Sequence, residues 1–332
     1  MTDWAVRHGF TSRPGVCTTT LMLPRSGDPL QFPAILLDQP HGATLHADFA
    51  AVAAQLRSTL PEDLAAFFFV NTDVGSPELA HCVGKLVSRP EEFPEFIADC
   101  QQAGVPVQPR SVLSVRSHVP RTFIDCNRTP QPPAGEKTEG MTGLLPLYIV
   151  DPADVELLLG LHRSYHEVVA RAHELVCGNG GFAVAMHTYA PRSVGITTID
   201  DQIVRALRAA YVPEVYATWP QRPEVDILSQ DMDNQQLAPA ELVAELHQAF
   251  ARASVQTAEN ATYRLHPATM GAHYALAYPN HVLSLEFRRD LLAEPFDPFV
   301  QMHVPMAKAM RLARPLALGL LKQLARSEGT HS

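Results

Sequence analysis

The chain has 332 residues, 46% of them hydrophobic and 18% charged, an ordinary balance for a folded globular protein. Its formal net charge of −9 argues against nucleic acid or an anionic membrane as the main partner, because both require a basic face. The five cysteines, Cys17, Cys82, Cys100, Cys126 and Cys177, form no CxxC pair; this disfavours a disulfide framework or zinc knuckle and fits a reducing, cytoplasmic setting.

The N-terminal Met1–Trp4 stretch lacks the basic-then-apolar pattern of a secretory signal. No apolar run reaches the roughly 18 residues of a membrane span.

Taken in chain order, Phe32–Asp38 is a short apolar run stopped by Gln39-Pro40-His41-Gly42, which reads as a buried strand followed by a loop. A helical pattern follows from Ala47 to Leu56. Ala65–Asn71 (AAFFFVN) reads as a second buried strand. Ser76 is then expected to cap a helix, with Pro77 at its first position. Arg121–Cys126 is strand-like, and Arg128–Met141, rich in Pro, Gly and Thr, is a loop long enough to be functional.

The clearest helix runs from Asp151 to Val176, opened by Asp-Pro and stopped by Gly178-Asn179-Gly180-Gly181. Phe182–Met186 (FAVAM) is a strand leading directly into His187. Ile199–Ala210 and Pro239–Ala253 read as helices, Val282–Phe287 as a late strand carrying Glu286, and Met302–Arg326 as an amphipathic packing helix. Alternating strands and helices predict a three-layer α/β fold, with a mixed, largely parallel sheet covered by helices on both faces. Ligands in such folds bind beyond the C-terminal strand ends, where His41 and His187 are expected.

Four segments carry chemistry. His41, at a strand end beside Gly42, is the first candidate metal ligand; a loop histidine satisfied by a hydrogen bond is the alternative. His187, at the tip of the FAVAM strand, is the second, against a core histidine; Thr188 or Tyr189 would support it. Asp73 and His46 compete for a further ligand position, and either set suits zinc with one open site. Asp125-Cys126-Asn127-Arg128 offers Asn127 and Arg128 to a substrate carboxylate, Arg128 as a bidentate fork that Asp125 could orient. Arg121 adds positive charge for a developing oxyanion. Glu286, if it points inward, has a pKa raised by burial and suits a general base; if outward, it pairs with Arg288 or Arg289. There is no GxSxG elbow, P-loop or HExxH helix.

Together these residues resemble the N-formylglutamate amidohydrolase family of the zinc carboxypeptidase-like group. The similar stretches are Pro40-His41-Gly42, Asp73–Ala80, Arg121–Arg128 with Pro130, Gly140–Pro146 ahead of Tyr148, His162–His166, Ala185–Thr188 and Leu283–Arg288. The resemblance covers about residues 35–295. It implies that His41, Asp73 and His187 bind Zn2+ or another divalent transition metal, that Glu286 is the base, and that Asn127 and Arg128 hold the substrate carboxylate. The expected domain is a single metallohydrolase unit over 1–332, with its core at about 30–295 and its packing helix at about 302–326.

Three departures stand out from the family pattern. Gly42 and Thr188 replace serines, and the Ala268–Tyr274 segment lacks an arginine. The expected activity is metal-dependent hydrolysis of an N-acyl amino acid, N-formyl included, or a related small carboxylate-bearing amide. The alternatives are a peptidase or γ-glutamyl-type hydrolase on the same scaffold, and a catalytically inactive small-acid binding protein. Oligomeric state is left open.

Overall fold

The computed structural model describes residues 8, 10–25, 32–130 and 142–329. The expected loop Arg128–Met141 therefore lies outside the described residues from 131 onward, as does most of the N-terminal stretch. The strands are β1 (Cys17–Met22), β2 (Ile35–Gln39), β3 (Val112–Ser117), β4 (Phe182–Tyr189), β5 (Val225–Leu228), β6 (Thr257–Glu259) and β7 (Val282–Arg288). The helices are α1 (His46–Ala53), α2 (Leu64–Asn71), α3 (Ser76–Ser88), α4 (Pro94–Gln102), α5 (Pro152–Val176), α6 (Ile203–Ala210), α7 (Pro213–Tyr216), α8 (Ala240–Arg252), α9 (Met270–Ala277) and α10 (Met306–Gly329).

The strands form one sheet in the order β1-β3-β2-β4-β7-β5-β6. The four middle strands run parallel, while β1 is antiparallel to β3 and β5 antiparallel to β7. The fold is thus the mixed, largely parallel α/β sheet expected, with helices on both faces.

Side chains alternate across a strand, so each strand feeds two cores. Ile35, Leu37, Phe182, Val184, Met186, Leu283, Leu285 and Phe287 pack on one face against α3, α8 and α10. Leu36, Ala183 and Val282 face the other layer, with α2, α5, α6 and α9. That second face changes character toward the C-terminal ends of β2, β4 and β7, where Asp38, His187 and Glu286 replace the apolar residues and Asp226 of antiparallel β5 lies beside Glu286. Buried polar groups require partners. This half-face is where the candidate site lies.

Helix α5 follows expectation: Asp151 accepts from the Ala153 amide, and Pro152 occupies the first turn, where no intrahelical donor is lost. Several sequence expectations are corrected. AAFFFVN is helix α2, because an unbroken apolar run carries no period that separates a buried strand from a buried helix. Ser76 does not cap α3; Gly75, at φ 89°, holds the cap position and Ser76 Oγ donates to the Met186 carbonyl oxygen. Arg121–Cys126 is a series of turns in which Phe123 N donates to Pro120 O and Asp125 N to Leu144 O. Helix α6 begins at Ile203 and α10 at Met306, both later than the sequence pattern indicates.

Candidate active site

Strand β2 ends at Gln39, and the chain turns through Pro40 to put His41 at the sheet's C-terminal edge. Strand β4 carries His187, and α2 ends just before Asp73. These three buried residues converge, with potential ligand atoms all within 4.8 Å of one another. Asp73 Oδ2 lies 3.3 Å from His41 Nδ1 and 3.1 Å from His187 Nδ1. The ring centroids are 5.1 Å apart. Burial opposes ionisation of Asp73, but His41 and His187 hold its carboxyl well below the usual range. His187 is raised: burial opposes its charge, while Asp73 and Glu286 favour it.

His46, the alternative to Asp73, is not part of this group. It is exposed at the start of α1, with its ring 6.3 Å from Phe69.

The far nitrogens of the histidines are also occupied. His41 Nε2 lies 2.7 Å from Asp125 Oδ1, the carboxylate–imidazole arrangement that fixes a ligand ring. Asp125 also accepts from the Asn127 amide and from Arg121 Nε at 3.0 Å, and its Oδ2 lies 3.5 Å from Arg128 Nη1. Burial would raise Asp125, but Arg121 and Arg128 hold it well below the usual carboxylate range. Asn127 Oδ1 accepts from Gly271 N, which turns Nδ2 toward His187 Nε2 at 3.5 Å. The arginine-free Ala268–Tyr274 segment therefore positions Asn127 through backbone.

Arg128 and Arg121 differ in what they leave free. Arg128 donates to Thr142 O, Thr142 Oγ1 and Asn127 O, so its fork is already engaged. Arg121 bonds only through Nε, and its terminal nitrogens have no partner among the described residues.

Glu286 stands beside His187 in the parallel β4–β7 ladder and beside Asp226 in the antiparallel β5–β7 ladder. Its Oε2 is buried with no hydrogen-bond partner. Burial raises its pKa; His187 opposes the shift and Asp73 adds to it. The alternative outward pairing with Arg288 or Arg289 does not occur, because Arg288 pairs with Asp290 and Arg289 turns inward.

Arg289 is a site residue that sequence reading missed. Its buried guanidinium donates to Val70 O and Thr188 O and lies 3.5 Å from Asp73 Oδ1. Its only sequence signal was its place after the Glu286 strand. Thr188 supports the site indirectly, since its hydroxyl donates to Val74 O beside Asp73. The Tyr189 hydroxyl donates to Pro223 O, away from His187.

The space beside Gly42 is filled by Arg116. A Cβ there would meet Arg116 Cγ at 2.7 Å and the Gln39 and Ser117 carbonyl oxygens at 3.1 and 3.2 Å. This close packing accounts for glycine at position 42.

Two imidazoles and one carboxylate, buried and converging through Asp73 Oδ2, could hold zinc or another divalent transition metal. No described helix is long and apolar enough to cross a membrane.

The sequence model of the family described as N-formylglutamate amidohydrolase matches residues 35–293. No curated protein matches the chain. Among solved structures, the crystal structure of N-formylglutamate amidohydrolase from Ralstonia eutropha JMP134 is similar, with a TM-score of 0.51 and 16% identity, covering 93% of this chain and 98% of that one. Gene product Atu2144 from Agrobacterium tumefaciens aligns with a TM-score of 0.49 and 16% identity, covering 89% of this chain and 92% of its own. At such identity the likeness to the Ralstonia protein is one of fold.

Proposed function

The chain belongs to the N-formylglutamate amidohydrolase family, and from that premise we propose that it hydrolyses the amide of a small N-acyl amino acid, N-formyl included, using a divalent metal held by His41, Asp73 and His187. The observation that carries this reading is the placement of Glu286. It is a half-buried side chain with one buried, unpartnered carboxylate oxygen, in ladder register with a histidine that faces Asp73.

When bound, a divalent ion at this donor set supplies Lewis acidity toward the amide carbonyl and lowers the pKa of water toward about 7. The chain's own groups do the rest. Glu286 Oε2 accepts a proton from the attacking water and returns it to the leaving nitrogen. Burial raises its pKa, which favours its taking up that proton. Arg121 turns unbonded guanidinium nitrogens to the negative charge that develops on the carbonyl oxygen. The amide of Asn127, oriented by Gly271 N, meets the substrate carboxylate. Arg128 adds charge to that grip from a fork fixed on Thr142. Asp125 joins the two halves, since one carboxylate touches His41, Arg121 and Arg128.

The reading is tested by incubating metal-supplemented protein with a panel of N-formyl amino acids, N-acetyl amino acids and dipeptides, while measuring formate, acetate and free amino acid. Acyl release from N-acyl amino acids is the expected result. Cleavage confined to the dipeptides would assign the scaffold to a peptidase. Binding of small acids without any release would make it a binding protein.

A further inference from the structure

We infer that His162 and His166 of α5 are positioning residues, which hold the backbone on either side of Asn127 and so set the grip on the substrate carboxylate. The inference rests on the amidohydrolase reading above and concerns two buried imidazoles to which that reading gives no part.

Asp125, Asn127 and Arg128 lie in a turn that belongs to no strand or helix, so its backbone carbonyls need partners of their own. Asp125 O accepts from Arg128 N at 3.0 Å, and Asn127 O from Arg128 Nη1 at 3.2 Å. The carbonyls that flank Asn127 are taken by α5. Cys126 O accepts from His166 Nε2 at 2.8 Å, and Arg128 O accepts from His162 Nε2 at 2.9 Å. The two imidazoles stand about one helical turn apart, with ring centroids 4.4 Å from each other. Tyr165, on the same helix face, donates to Asp38 on β2, the strand that leads to His41. One face of α5 therefore ties the turn to the strand that delivers a candidate ligand.

A second element holds the same turn. Thr129 N donates to Ala268 O at 3.0 Å, and Gly271 N to Asn127 Oδ1 at 3.1 Å. Asn127 thus sits between two clamped carbonyls, with its Nδ2 3.5 Å from His187 Nε2. A carbonyl oxygen only accepts, so Nε2 of each α5 ring carries the hydrogen. Burial lowers the pKa of both rings, that of His166 to about 3, which favours the neutral form. The other nitrogen is then bare, and Nδ1 of His166 is buried without a partner among the described residues. Such an atom costs stability, so the ring is not there for its stabilising bonds alone. His173, further along α5, donates instead to Val169 O of its own helix. Reaching out to the turn is a property of positions 162 and 166, not of every buried histidine on this helix.

Calorimetric titration of zinc-supplemented protein with L-alanine and with L-alaninol, which has a hydroxyl in place of the carboxylate, tests this without turnover. Wild type should bind L-alanine roughly 10- to 100-fold more tightly than L-alaninol. An asparagine amide falls short of the Nε2 position, whereas a glutamine amide reaches it. His162→Asn and His166→Asn should each cut the preference by about 10-fold, with L-alaninol binding and zinc content unchanged. His162→Gln and His166→Gln should recover most of it. A wild type without preference, Asn variants that keep it, an equal loss for both ligands, a loss of zinc, or Gln variants no better than Asn overturns the inference. Should one Asn variant fail to fold, the other position carries the same test; failure of both overturns the inference, since a positioning role leaves the fold intact. If the preference behaves as expected but no N-acyl amino acid is cleaved, the role of the two histidines stands and the proposed reaction falls.

Discussion

His187 on β4 stands directly beside Glu286 on β7, so the parallel ladder brings an imidazole and a carboxylate far apart in the chain to one face of the sheet. The neighbouring pairs Met186–Leu285 and Ala185–Ser284 show that this register is continuous. A slip of one residue would send Glu286 into the apolar layer beneath α10.

Glu286→Gln removes the proton acceptor and leaves the shape of the side chain. Turnover should fall by roughly 10²- to 10⁴-fold, with metal content and secondary structure retained. Because one oxygen of the native carboxylate is buried without a partner, the amide should fold at least as stably. Steady-state kinetics with metal analysis check this, and near-normal turnover in the variant would remove Glu286 from the mechanism.

Asp125→Asn keeps an acceptor for His41 Nε2 and the Asn127 amide but deletes the charge between Arg121 and Arg128. Metal affinity should drop by roughly 10- to 100-fold, the usual effect of losing a carboxylate behind a ligand imidazole. Competition against a chelator of known affinity measures it. Unchanged affinity would show that Asp125 serves only the arginines.

Gly42→Ser should destabilise the protein by about 1–3 kcal/mol, because the new side chain meets Arg116 and two carbonyl oxygens. Replacing Arg116 with alanine in the same protein should recover most of that loss, since its Cγ is the nearest obstacle. Thermal melts of the two variants decide the matter, and a neutral single variant contradicts the packing account.

Asp38 predicts a pH effect on stability. It is buried on β2, and burial pushes its carboxyl up to about 6 although Tyr165 donates to it. A raised acid favours its protonated form in the folded state. Its stabilising contribution is whole below 3.8 and is lost as pH rises through about 6. From pH 5 to pH 7.5, wild type should lose about 1 kcal/mol relative to Asp38→Asn, whose amide oxygen still accepts from Tyr165. Urea unfolding at both pH values measures this; a gap between the proteins that does not change with pH refutes it.

The parts of the fold legible in the sequence were those where local pattern and tertiary role coincide. Strands β2, β4 and β7 begin as apolar runs; His187 lies on β4, Glu286 on β7, and His41 two residues past the end of β2. Helix α5 announced itself through its Asp-Pro start. Edge strand β1, with its run of threonines, and four-residue β5 have too little apolar pattern to stand out from loop. The FFF run of α2 hid its period because nearly every side of that helix is buried. The inward role of Arg289 was not legible for another reason: it comes from a contact with Asp73 that only the assembled sheet creates.

Anomalous diffraction at the zinc edge, from crystals grown with zinc, tests the central claim most directly. One peak is predicted, bonded to His41 Nδ1, the Asp73 carboxylate and His187 Nδ1, with Glu286 adjoining it. Strong occupancy at another site, with both histidines still hydrogen-bonded to Asp73 and no peak between them, would contradict it.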